Sequence, residues 1–287
     1  MTIPERVREH CAAVAASARH VSIDFDAAGR IEPGAEPVLD AERHYLEASR
    51  EDVAMYILTL DTINFGSGWF PTLRKRPGMS GYYTVAWSLA QRFRELGPWT
   101  PADLGRLEAA DVADVLGQDP RHELMALYAD ALQALGHFLA GRSVLDLLAG
   151  SAAALAETLA DAMPFFDDVG FWKRAQITAN DLALAGVAEF EDLDELTIFA
   201  DNLVPHVLRV DGVLRYDAPL ADHIDRGDLL PPGTEETEIR ACAVHACVQI
   251  AAELGVPERT LDTWLWDRGQ EPRYKALPRH RTRTVYY

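Results

Sequence analysis

The chain has 287 residues, enough for one large domain or two small ones, and its 48% hydrophobic content is ample for a buried core. Twenty-seven Lys+Arg against 45 Asp+Glu leave a net charge of −18, which repels polyphosphate everywhere except at local basic spots. Extended contact with duplex DNA or intact RNA is therefore disfavoured, whereas a small ligand carrying one phosphate or a cationic group remains compatible.

Helical periodicity dominates the chain. Val7 to Arg19 is the first expected helix, and Asp40 to Asn64 the second, with Tyr45, Leu46, Val53, Tyr56, Ile57 and Leu60 at three- and four-residue steps. Tyr82 to Leu96 follows. Thr100 before Pro101, Ala102 and Asp103 is an N-cap sequence opening a short helix, and Leu107 to Gly117 has its own helical spacing. Arg121 to Ala140 and the Ala/Leu-rich Ser143 to Ala162 read as two longer helices, the second as central core. Phe171 to Gly186 and Asp192 to Leu208 come next, then a strand-like stretch, Val207 to Tyr216, whose Asp211-Gly212 pair suits a short hairpin. Glu235 to Leu254 and Pro257 to Trp266 are further helices, and the tail from Glu271 to Tyr287 is basic and aromatic. With no repeat and no linker, a single all-α domain over residues 1–287 is expected.

Cys11, Cys242 and Cys247 form neither a disulfide framework nor a CxxC pair, which fits a reducing cytoplasm. The charged N-terminus has no signal-peptide core, and no stretch stays apolar for the length of a bilayer span, so a soluble, unexported protein is expected. The nine histidines show no HExxH or other metal-ligand spacing, and G-x-S-x-G, P-loop and G-x-G-x-x-G motifs are absent; neither metal nor cofactor is assigned.

The segment Phe171 to Tyr216 carries the strongest chemical signal. In TIFADNLVP, Asp201 stands among Ile198, Phe199, Leu203 and Val204, with the Asn202 amide beside it. Pro205 has no N–H for the Asp201 carbonyl, so a helix through this region is expected to kink or break at the carboxylate. An acid framed by apolar groups is suited to facing a developing positive charge. Burial raises a carboxyl pKa, so a nearby cation must keep the group ionised, and Lys173 is the candidate. The alternative is that Asp201 only caps the segment after the break.

FWKRAQITAND places Lys173, Gln176 and Asn180 on one helical face, with Trp172 and Asp181 at its margin. Such a face grips a nucleotide, or it is solvated with Phe171 and Trp172 as an anchor. The loop Asn64-Phe65-Gly66-Ser67-Gly68-Trp69 sets two glycines between aromatics, either for stacking Phe65 and Trp69 on a flat base or as a helix C-cap packed on the core. Arg74, Lys75 and Arg76 are either a phosphate spot or a solvated loop. His20, and Glu238 with Arg240, are polar groups among apolar neighbours.

These residues resemble the queuosine salvage protein family. The likeness rests on HVSID, LDTINFGSGWFP, FWKRAQI, LTIFADNLVPHVLR, TEIRA and the closing HRTRTVYY, spread in matching order over nearly the whole chain. It implies an all-helical fold similar to the helix-hairpin-helix DNA glycosylases, with the acid of FADN, here Asp201, as the catalytic residue. The implied reaction is hydrolysis of the N-glycosidic bond of queuosine 5′-phosphate, releasing queuine and ribose 5-phosphate. Lys173 is expected to assist Asp201 or meet the phosphate, and His20, Asn64, Phe65, Trp69, Trp172, Asn202 and Glu238 to contact substrate, Glu238 meeting its amine. A DNA base-excision glycosylase, and a modified-nucleobase binding protein without catalysis, are the rival expectations; the charge of −18 disfavours the first.

Overall fold

Thr2 and Glu5 cap each other reciprocally at the start of α1 (Ile3–Ser17), as a capping box does. The computed structural model describes residues 1–29 and 31–287. After β1 (Val21–Ile23), Asp24 caps the single turn of α2 (Phe25–Ala28). The helix expected from Asp40 begins only at Arg50. Asp40 instead holds a turn through its carboxylate and carbonyl, and Ser49 caps α3 (Arg50–Thr62) through the Asp52 amide. Ser80 caps α4 (Gly81–Leu96), Thr100 and Asp103 box the start of α5 (Pro101–Leu104), and α6 (Ala109–Leu116) and α7 (Glu123–Leu139) follow.

The long helix expected over Ser143 to Ala162 is divided. A 3-10 turn at Val144–Leu147 leads into β2 (Ala149–Gly150), and α8 (Ala152–Ala162) starts only after Ser151. The divider is long-range: the Asp192 carboxylate takes hydrogen bonds from the Ser151 hydroxyl and from the Ala152 and Ala153 amides. After α9 (Lys173–Leu184), β3 (Glu189–Phe190) pairs in parallel with β2.

Residues 196–202 run without regular structure into α10 (Leu203–Val210). Asp201 thus sits just ahead of a helix rather than at a kink inside one, because Pro205 falls in the first turn, where no intrahelical N–H partner is required. Val207 to Val210 complete α10, and Asp211-Gly212 turns the chain into β4 (Leu214–Tyr216). The partner of β4 is β1, antiparallel, with Val21 opposite Tyr216. The chain ends through α11 (Ala218–Asp225), α12 (Thr234–Leu254), α13 (Glu258–Arg268), α14 (Pro272–Lys275) and an extended tail.

α12 is the central post: it packs on α1, α10 and α13, while α9 lies between α3 and α8, and α7 supports α3, α5 and α6. Among the described residues the buried apolar side chains form one cluster reaching from Ile3 to Tyr274. No single helix among them is long and apolar enough to cross a membrane. The tail closes over the loop after α3, where the Gly66 amide donates to the Tyr287 carbonyl at 2.9 Å with Gly66 at φ +99°. A Cβ at Gly68 would lie 2.4 Å from the Thr282 carbonyl oxygen, so only glycine lets the two backbones approach this closely.

Candidate active site

A cavity of about 590 Å³ opens where α9, α13, the 199–206 segment, the start of α4 and the tail meet. Asp201 and Lys173 both line it, together with Asp181, Asp262, Tyr82, Trp266 and Arg279. Its size is typical of a small-molecule site.

The Asp201 segment is held residue by residue from different parts of the chain. The Thr197 amide donates to Gln176 Oε1 at 3.1 Å, and the Phe199 amide to Asp262 Oδ1 at 2.8 Å. Arg240 Nε donates to the Ala200 carbonyl at 3.0 Å, and Asn202 Nδ2 to the His280 carbonyl at 3.3 Å. Asp201 itself accepts from the Leu203 amide at 2.6 Å and the Val204 amide at 3.4 Å. The carboxylate therefore caps α10 with Oδ1 while also facing the cavity, so both expected roles are compatible in one side chain.

Lys173 and Arg174 begin α9, where the helix dipole disfavours cations. Trp172, the only non-glycine residue with positive φ among those described, at 44°, turns the chain so that both enter the interior. Arg174 is neutralised by carbonyls, donating to Asp61, Thr62, Phe165 and Val285, with its plane over the rings of Phe65 and Phe166. Burial draws it down to about 9. Lys173 makes no hydrogen bond or ion pair among the described residues. Its pKa is lowered by burial, and Asp201 is the foremost charge opposing that, followed by Asp61.

Three carboxyls around Lys173 are pushed the other way. Burial raises Asp61 well above the usual carboxylate range, and Asp181 adds to the effect; burial raises Asp181 to about 6 and Asp262 to about 7. Asp262 therefore has the titration point of a group able to move a proton near neutral pH. Because these carboxyls keep their protons to a higher pH folded than unfolded, the folded state binds more protons between about pH 4 and 7. Stability thus falls as pH rises through that window and levels off above it. Asp262→Asn, which keeps an acceptor for the Phe199 amide, is expected to flatten this dependence by on the order of 1–4 kcal/mol between pH 5 and 7.5. Urea unfolding at the two pH values checks it; parallel changes in both proteins would exclude Asp262 as the source.

The family model of the queuosine salvage proteins matches residues 43–287. The chain belongs to the queuosine salvage protein family. It is 35% identical to a protein of Sphaerobacter thermophilus over 96% of this chain and 95% of that one, and 29% identical to one of Nematostella vectensis over 86% and 85%. A Dictyostelium discoideum protein is 37% identical over 42% of this chain and 40% of its own length. All three carry the name queuosine 5′-phosphate N-glycosylase/hydrolase.

Of the residues singled out from the sequence of this queuosine salvage family member, Asp201, Lys173, Asn64, Phe65 and Asn202 line the cavity, and His20, Trp69, Trp172 and Glu238 do not. Glu238 instead accepts the backbone amides of Arg19, His20 and Val21, anchoring the approach to β1, and the His20 ring pairs with Asp217 at 2.8 Å. Trp69 donates to Glu123 at 2.7 Å, with Arg283 over its ring, and Trp172 lies under the Arg6 guanidinium. Phe65 borders the cavity but is nearly enclosed, edge-on to Tyr128 and stacked with Phe165. On α9 the cavity side carries Lys173, Ile177, Asn180 and Asp181, whereas Gln176 turns away to Thr197.

The half-buried aromatic wall was not foreseen. It consists of Tyr82, Tyr83 and Trp266, which meet edge to face at 5.7 to 6.0 Å between Trp266 and each tyrosine. Asp61 lies inside the LDTINFG motif without a signal of its own, whereas Asp181, expected at the margin of the α9 polar face, lines the cavity. Asp262 and Trp266 belong to α13, outside every motif, and only the tertiary fold brings them here. Among the described residues no three His, Cys, Asp or Glu side chains converge as metal ligands.

Proposed function

We propose that this chain hydrolyses the N-glycosidic bond of queuosine 5′-phosphate, releasing queuine and ribose 5-phosphate, with Asp201 as the catalytic residue. The observation that carries the proposal is the placement of a fixed carboxylate on the cavity wall, beside a buried lysine and an acid titrating at about 7. The names of relatives aligned over nearly the whole chain support the same substrate.

The chemistry follows from the leaving group. Queuine is a 7-deazaguanine, so the ring nitrogen that purine hydrolases often protonate is a carbon. More of the barrier then falls on the sugar, which passes through an oxocarbenium-like state. Asp201, already oriented by the Leu203 and Val204 amides, needs little reorganisation to stabilise that charge. Tyr82 and Trp266 offer aromatic surface to the flat base. Asp181 lies on the same wall, where a carboxylate would meet a cationic amine.

The proposal includes a single domain over residues 1–287 acting in the cytoplasm on a free nucleotide, without stable nucleic-acid binding. The test is incubation with queuosine 5′-phosphate and chromatography for free base. Stoichiometric queuine and ribose 5-phosphate are expected. Tight binding without release would favour a nucleobase binding protein, and measurable duplex affinity at physiological salt would favour a DNA glycosylase.

A further inference from the structure

The sequence places Gln176 beside Lys173 on one face of α9, yet its side chain turns from the cavity and is wholly buried. What it holds there is backbone. Its Nε2 donates to the Phe171 carbonyl at 3.0 Å and to the Thr197 hydroxyl at 2.9 Å, and its Oε1 accepts from the Thr197 amide at 3.1 Å. The Thr197 hydroxyl, also buried, donates in turn to the Ile198 carbonyl at 3.0 Å. Both hydrogens of the Gln176 amide and its oxygen are engaged inside the protein, so the group serves the fold around the site and not a ligand.

These partners lie on the two approaches to the site. Phe171 precedes Trp172, whose φ of 44° turns the chain into α9 and delivers Lys173 to the interior. Thr197 opens the run that delivers Asp201. Ile198, Phe199 and Ala200 between them are buried, so a shift at Thr197 finds little slack before Asp201. Asp262 fixes this run against α13 through the Phe199 amide, and Arg240 fixes it against α12 through the Ala200 carbonyl. Among the described residues no backbone hydrogen bond joins α9 to residues 196–202, and every side-chain hydrogen bond between them runs through Gln176. Lys173 stands less than one helical turn before Gln176, so the two move as one body.

We propose that Gln176 is a positioning residue for base release, setting the Asp201 carboxylate against Lys173 without touching the substrate. This role rests on the glycosylase proposal above and deepens it. An amide suits the task because it donates and accepts at once and adds no charge to an interior that already holds Lys173, Asp61 and Asp262. A carboxylate there would leave the Phe171 carbonyl without its donor, and a hydrocarbon would leave the Thr197 amide unpaired as well. Displacing a reacting group by about 1 Å costs up to about a hundredfold in rate, whereas substrate affinity, set by the cavity walls, changes little.

The test is turnover of queuosine 5′-phosphate by the full-length protein. Gln176→Met is expected to lower kcat roughly 10- to 100-fold with KM within about threefold of the parent. Thr197→Val, which loses only the hydroxyl and serves should the first variant not fold, is expected to lose roughly 3- to 10-fold, and Thr197→Ser to keep the parent rate. In an Asp201→Asn background either loss is expected to shrink to less than about twofold, although each substitution destabilises that protein as it does the parent; a merely structural role gives the same loss in both backgrounds. A second measurement needs no turnover: the coupling between Lys173→Met and Asp201→Asn in urea unfolding is expected to fall by at least about half when either substitution is present. An unchanged kcat in Gln176→Met, the same loss with and without the Asp201 carboxylate, or a coupling that is absent or unchanged overturns the role. If the parent releases no queuine yet the coupling falls as expected, the positioning role stands and the glycosylase proposal fails.

Discussion

Asp201→Asn is expected to lower kcat for base release by roughly a thousandfold while leaving the folded state almost unchanged. A unit charge about 4 Å from a developing cation, at an effective dielectric near 20, contributes about 4 kcal/mol. Each 1.36 kcal/mol is about tenfold in rate, so about 4 kcal/mol corresponds to about three decades. Asparagine removes the charge but keeps Oδ1 as acceptor for the Leu203 and Val204 amides, and it is as good a helix cap as aspartate. Asp201→Ala removes the cap as well and is expected to be less stable than Asp201→Asn by about 1 kcal/mol. Comparing single-turnover rates with thermal unfolding for the two variants separates catalysis from capping. If Asp201→Asn kept more than a tenth of the rate, the carboxylate would not be stabilising the reacting sugar.

Local signals in the chain are reliable where a helix is closed by its own neighbours and fail where a distant residue intervenes. Thr100 with Asp103, and the span of α4, follow from cap residues and periodicity alone. Ser143 to Ala162 reads as one helix because nothing nearby announces the Asp192 carboxylate that starts α8 at Ala152. Likewise, the strand at Leu214–Tyr216 is legible from its residues, but its partner β1 lies almost two hundred positions upstream. The site divides in the same way. Asp201 is marked by a charged residue in an apolar frame before a proline, and Lys173 by two adjacent cations at a helix start, where cations are unfavourable. Glu238 and Trp69 carry the same kind of mark, a polar or aromatic group in an unusual setting, yet they hold backbone amides and a surface glutamate. Sequence shows that such a group needs a partner; only the fold shows whether the partner is protein or ligand.

Arg240 illustrates the distinction, and its removal is expected to be the most destabilising single change. The residue is 3% exposed, forked onto the Asp168 carboxylate and within 3.5 Å of Glu236, with its plane 3.9 Å from the Phe171 ring centroid and 4.6 Å from that of Tyr287. Burial alone would lower its pKa, but Asp168 and Glu236 more than reverse this and hold the guanidinium charged. Arg240→Met leaves two buried carboxylates without a cation, a change expected to cost about 3–5 kcal/mol. Adding Asp168→Leu to Arg240→Met is expected to recover part of the loss, because it removes an orphaned charge. Arg240→Lys keeps the charge but loses the fork and the Nε–H bond to the Ala200 carbonyl, one residue before Asp201. It is therefore expected to remain folded while kcat falls more than KM rises, since the support for the carboxylate loosens. Urea unfolding with turnover of queuosine 5′-phosphate checks both halves; a Lys variant with the parent kcat would confine Arg240 to stability.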